Sequence, residues 1–292
     1  MKGTTHKLYI SFFLVVGILS VALLIINGFS YYSLPIEERV FSSQHNYLKP
    51  SGLLGHGLGI IGSLMMIIGV LTYMIRKRFR IFFHWGYLKY WLEFHIFLCT
   101  MGPLFVLFHT AFKFGGIVAI SFWSMVVVVL SGFVGRFIYV QIPRTIQGRE
   151  LDIEELNNAE EELSARLLNE FKIGEELIKK INADSLPDRY KNLSLLQSVS
   201  LFIKNFFTSK KTSNELKRIL ISYPGVEKKK INEILKIARA KILLSRKIGM
   251  LRTMQKLFNY WHIFHLPFAL SMFIIMIIHV VVTIAFGYKW IF

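Results

Sequence analysis

Residues 95–109 read HIFLCTMGPLFVLFH, and residues 265–279 read HLPFALSMFIIMIIH. Each is a run of thirteen uncharged residues closed at both ends by histidine. In lipid such a run must satisfy its own backbone hydrogen bonds, which makes it a helix. Fourteen steps at about 100° fall about 40° short of four turns, so the two histidines of each pair share one helix face, about 21 Å apart. One histidine of each pair then lies toward each side of an apolar core about 30 Å thick. A chain with nine histidines is expected by chance to hold well under one pair at this separation, and this chain holds two.

Working outward, five segments are long and apolar enough to span a bilayer: Leu8–Tyr31, Leu53–Ile75, Tyr90–Phe112, Ile117–Val140 and Trp261–Tyr288. The composition agrees. Of 292 residues, 53% are hydrophobic and only 18% are charged, against about 25% in soluble domains. The mean hydropathy is +0.48. The expected fold is all-α: residues 1–140 with four transmembrane helices, 141–260 as a cytoplasmic helical insertion, and 261–292 as the fifth helix. The first segment follows Lys2 and Lys7 and lacks a small-residue cleavage site, so it reads as an uncleaved signal anchor.

Charge placement sets the expected orientation. Arg76-Lys77-Arg78-Phe79-Arg80 lies between segments two and three, and residues 141–260 hold 23 Lys/Arg against 15 Asp/Glu. The loop 33–52 has only Arg39 and Lys49, offset by Glu37 and Glu38, and the loop after segment three has only Lys113. The positive-inside rule puts the N-terminus in the cytoplasm and the C-terminus outside. The net charge of +17 is therefore a topology signal. No nucleic-acid motif accompanies it, and no nucleic-acid partner is expected.

The insertion reads as helices. Leu151, Leu156, Leu163 and Leu167 recur at roughly helical spacing among Glu154, Glu155 and Glu160–Glu162. A second helix is expected over Arg189–Phe207, and Ser213 is placed to cap a third. Tyr223-Pro224-Gly225 breaks that helix, and a basic helix from Glu227 leads into segment five.

Cysteine usage excludes several chemistries. The single Cys99 rules out an internal disulfide framework, a four-cysteine iron–sulfur cluster and covalent haem attachment through C-x-x-C-H. The histidines remain, and ionisable groups inside a membrane are functional candidates by default. If both histidine helices run from inside to outside, His95 faces His265 on the inner side and His109 faces His279 on the outer side. Two imidazoles opposed across a bundle suit the axial positions of a haem iron. The expectation is two non-covalent haems b, six-coordinate and built for electron transfer. Lys113 and Arg136 are placed to pair with haem propionates. The missing bulk at Gly102-Pro103, midway between His95 and His109, would let a macrocycle approach. Gly55, Gly57, Gly59 and Gly62 beside His56 read as close helix packing. Glu93 is a candidate proton carrier at an inner quinone site, and His56 an outer proton group or alternative ligand. His262 falls roughly 100° off the His279 face, and His6, His45 and His84 read as interfacial.

The stretches His95-x13-His109, GFVGRFIYVQIPR at 132–144 and WHIFHLP at 261–267, with His279, resemble bacterial dihaem b-type membrane cytochromes of the broad cytochrome b561 and ferric-reductase-like kind. The resemblance covers the membrane half of the chain, and it implies bis-histidine haems and transmembrane electron transfer. Two departures limit what it implies. The chain has no flavin- and nicotinamide-binding module, and residues 141–260 have no counterpart in the short b561 enzymes, whose ascorbate chemistry is not carried over. The expected function is an electron-transfer subunit in a bacterial cytoplasmic membrane, working between quinone and a periplasmic cytochrome or iron–sulfur protein. The alternatives are a metal-ion reductase fed by a cytoplasmic partner, and a haem-free anchor or sensor whose insertion binds a protein.

Overall fold

The computed structural model describes residues 3–144, 150–169, 171 and 231–286, with single positions at 197, 200, 217, 218 and 221. The expected helices over Arg189–Phe207 and from Ser213 and the break at Tyr223–Gly225 lie outside the described residues, apart from the single positions just given. Among the described residues the protein is all-α. Its helices are α1 (Gly3–Tyr32), the four-residue α2 (His45–Leu48), α3 (Leu53–Arg78), α4 (Leu88–His109), α5 (Gly116–Gln141), α6 (Ile153–Asn169) and α7 (Ile231–Ala285). Five of them, α1, α3, α4, α5 and α7, are long and apolar enough to cross a membrane.

The chain divides into two compact units: Met1–Val134, Ile146–Gly148 and Trp261–Phe292, and Gly135–Thr145 with Arg149–Tyr260. In the first unit α3 and α4 make the most extensive helix packing. They run antiparallel. Gly62 lies opposite Gly102, and a Cβ on either would stand 2.7 Å from the other's carbonyl oxygen. Small residues at such a crossing let two backbones approach where lipid supplies no hydrophobic driving force. The expected packing role of Gly62 is thus met. The bulk missing at Gly102 is taken by α3, which corrects the expectation of space for a macrocycle there. Helix α1 lies alongside α4 in parallel, with Tyr9 donating to Tyr90 O (3.2 Å) at one end and Tyr32 to Phe108 O (3.4 Å) at the other.

The first unit is apolar both inside and on its surface. Its outer faces expose large apolar side chains, such as Ile26, Phe29, Ile117, Ile263 and Val281, which is compatible with a surface that faces lipid. Its buried residues include Ser121, Ser124 and Ser131. The middle is filled by Met66, Phe122, Met125, Met272 and Met276, whose flexible thioethers fill irregular gaps.

The second unit has a separate core. Leu167 on α6 packs with Ile231, Ile234, Leu235, Ile237, Ala238 and Ile242 of α7. The buried Lys241 donates to Glu160 Oε1 (3.0 Å), which also accepts from the fully buried Ser245. Arg144 pairs with Glu150 (2.5 Å) and lies over the ring of Tyr139 (4.6 Å). Lys247 donates to Val140 O (3.0 Å), a carbonyl left over at the end of α5. Burial pulls the Lys247 ammonium below the ordinary lysine range.

The glycine contact yields a paired test. Gly62→Ala places a Cβ against Gly102 O and should cost about 1–3 kcal/mol, seen as a lower Tm in detergent. Gly132→Ala, where a Cβ meets nothing within 4 Å, should be neutral or raise stability by about 0.5–1 kcal/mol.

Candidate functional site

Three helices each bring residues seven apart to the inside of the first unit: Gly55, Gly62 and Gly69 on α3; His95, Gly102 and His109 on α4; His265, Met272 and His279 on α7. Buried Ser124 and Ser131 on α5 share the spacing. A seven-residue repeat holds one face toward a partner when helices coil left-handedly at about 3.5 residues per turn. This absorbs the 40° shortfall of a straight helix.

At one end, His95 Nδ1 lies 3.0 Å from Gly69 O. At the other, His109 Nδ1 lies 2.8 Å from Gly55 O. A carbonyl only accepts, so each Nδ1 carries the proton and donates, and the neutral ring keeps its lone pair on Nε2. The backbone of α3 thus selects the tautomer and fixes the ring, as hydrogen-bonded partners do for ligating histidines. His265 Nδ1 lies 2.7 Å from Ser131 Oγ, and that hydroxyl also reaches Val128 O at 3.0 Å. Trp261 Nε1 donates to Ser131 O (2.6 Å), and its ring lies 4.7 Å from that of His265. Ser131 and Trp261 therefore orient His265 together.

The structure brings the expected pairs to the same ends. The rings of His109 and His279 are centred 6.5 Å apart at 56°. His265 lies within electrostatic range of His95. Helices α4 and α7 are therefore parallel. Gly59 lets the His109 ring pack directly against α3, since a Cβ there would stand 2.8 Å from Nδ1. An imidazole nitrogen binds a transition metal at about 2 Å and lies about 1 Å from its own ring centre, so two imidazoles sharing one ion have centres roughly 6 Å apart. The His109–His279 spacing fits two axial ligands of one iron. Among the described residues no group of three or more His, Cys, Asp or Glu is disposed to hold a metal ion.

The other candidates fall elsewhere. Lys113 is exposed, and Arg136, in the second unit, has its guanidinium over the Tyr139 ring at 5.8 Å. Glu93 lies 3.7 Å from both His6 Nε2 and Lys89 Nζ, an ionic cluster at the start of α1 and α4. His45 meets Tyr31 OH (3.1 Å), His84 is exposed, and His262 packs edge-on against Trp261 (4.6 Å). His56 stands beside His109, with ring centres 6.3 Å apart.

The sequence alone assigns no site role to Gly69, Ser131, Trp261 or Arg39. The seven-residue repeat of glycines was the available signal for Gly69. Arg39, read as a loop charge, is 5% exposed. Its guanidinium donates to Leu34 O (2.9 Å), Tyr32 O (2.8 Å) and Ala111 O (2.6 Å). The segment expected to stay helical to Phe112 ends instead at His109, because Ala111 (φ 47°) and Phe112 (φ 59°) adopt left-handed backbone. That conformation is costly for residues with a Cβ, and Arg39 holds it in place directly behind His109. Arg39→Met should cost about 3 kcal/mol by leaving three carbonyls without their donor. Hydrogen exchange of residues 108–113 should rise, and Arg39→Lys should restore less than half the loss, since an ammonium lacks the planar fork. No family model, curated protein or solved structure matches this chain.

Proposed function

We propose that this chain is a membrane-bound b-type cytochrome that moves electrons across the bacterial cytoplasmic membrane, with His95 and His265 holding an inner haem and His109 and His279 an outer one. The observation that carries the reading is the pair of histidine tiers: the rings of His109 and His279 are centred 6.5 Å apart at one end of the bundle, His95 and His265 stand within electrostatic range at the other, and Nδ1 of His95, His109 and His265 is already engaged. Each of these rings has Nε2 left to bind with. The resemblance of the His95–His109, 132–144 and 261–267 stretches to dihaem b-type cytochromes supports the same reading.

Held by these histidines, haem b would supply an iron that exchanges single electrons. The protein's part is to hold, orient and insulate. The carbonyls of Gly55 and Gly69 and the hydroxyl of Ser131 set the ring planes. The methionine and phenylalanine layer of Met66, Phe122, Met125, Met272 and Met276 keeps water out of the space between the tiers. Quinone on one side and a periplasmic cytochrome or iron–sulfur protein on the other are the proposed exchange partners. The positive-inside rule orients the chain with its N-terminus inside and its C-terminus outside.

The purified chain should hold two haems, extractable by acid–acetone and reduced by dithionite. His109→Ala should remove the outer haem and leave the inner one low-spin, and His95→Ala should do the converse. Haem content by pyridine haemochrome with low-spin electron paramagnetic resonance measures both. A chain that purifies folded without haem sinks the proposal. Alkaline phosphatase fused after Phe292 should be active, and a fusion near residue 180 inactive; the reverse pattern exchanges inner and outer.

A further inference from the structure

The outer tier holds one imidazole more than two axial positions require. His109 faces two rings: His279 at 6.5 Å and 56°, and His56 at 6.3 Å and 64°. Both separations are near the roughly 6 Å of two imidazoles sharing one metal ion. His279 and His56 are themselves within electrostatic range of each other. His56 sits on the first turn of α3, next to Gly55, whose carbonyl accepts the His109 Nδ1–H. The turn that orients His109 therefore also delivers His56. The three rings do not make a three-ligand metal site, and a haem iron has two axial positions. With His109 in one of them, His56 and His279 compete for the other.

The two tiers differ in this respect. Fourteen residues along α3 from His56 stands Val70, so α3 offers the inner tier no such ring, and the third imidazole near that tier, His262, lies on α7 itself, packed against Trp261. His279 has a counterpart in His265 at the same spacing on α7, which makes it the regular ligand and His56 the addition.

We propose that His56 is a reserve axial ligand of the outer tier, binding the iron opposite His109 whenever His279 is absent or displaced. The proposal rests on the two-tier reading above. The exchange trades one imidazole for another, so the outer haem stays six-coordinate and low-spin.

The test compares full-length wild type with His279→Ala, His56→Ala and the double variant, purified in detergent with haem supplied during expression. Haem per chain is read by pyridine haemochrome, spin state by electron paramagnetic resonance, and an open axial position by carbon monoxide binding to the reduced protein. Both single variants should keep two low-spin haems and bind no carbon monoxide, with a shifted outer signal in His279→Ala alone. The double variant should fall to one low-spin haem, or keep a second that is high-spin and binds carbon monoxide. The inner haem, retained throughout, reports that each variant is folded. Loss of the outer haem in His279→Ala alone overturns the proposal. So does its loss in His56→Ala, which would make His56 the regular ligand, and so do two low-spin haems in the double variant. A wild type without two haems is a different failure, that of the two-tier reading itself.

Discussion

The contact of Gly62 with Gly102 sets the register on which the rest of the bundle depends. Two backbones meet there with no side chain between them, and the seven-residue repeat carries that register to both ends. Seven residues in one direction Gly55 comes under His109, and seven in the other Gly69 comes under His95. The same close approach that packs α3 on α4 puts two carbonyls within hydrogen-bonding distance of two imidazoles. A larger residue at the crossing would push the helices apart and break both hydrogen bonds together, since the distance margin of an N–H···O bond is only a few tenths of an ångström.

This arrangement also resolves the cost of burying histidine in an apolar bundle. A polar side chain in lipid needs a partner. The α3 carbonyls give His95 and His109 one each, and Ser131 gives one to His265. These partners differ in kind. A carbonyl forces the proton onto Nδ1 directly, whereas the Ser131 hydroxyl accepts from His265 because its own proton goes to Val128 O, so the α7 tautomer depends on one further hydrogen bond. Between the tiers the sulfur-rich layer needs no hydrogen bonds and can close around irregular shapes.

The five spans and the histidine spacing were legible because they are properties of one helix at a time. Hydrophobic length marks a span, and a fourteen-residue interval marks a face. What was not legible depends on two helices at once. Gly102 reads as open space from its own segment and becomes a packing surface only when Gly62 is opposite. Ser131 is an ordinary serine in an apolar run until α7 places His265 beside it. Arg39 was taken as a loop charge because its three acceptors, on residues 32, 34 and 111, converge only in the fold. The end of α4 at His109 was missed for the same reason: nothing local breaks the helix there, and Ala and Phe take up left-handed backbone because a distant guanidinium accepts that shape.

The order of the helices along the chain has a consequence for biosynthesis. His95 and His109 leave the ribosome early and can be locked onto α3 as soon as that hairpin inserts. Their counterparts on α7 follow only after helix α5 and the charge-rich residues 141–260 have been made. During that interval the nascent protein presents two oriented imidazoles with no opposing face. Translation of the last span is therefore the step that brings His265 and His279 to the histidines of α4.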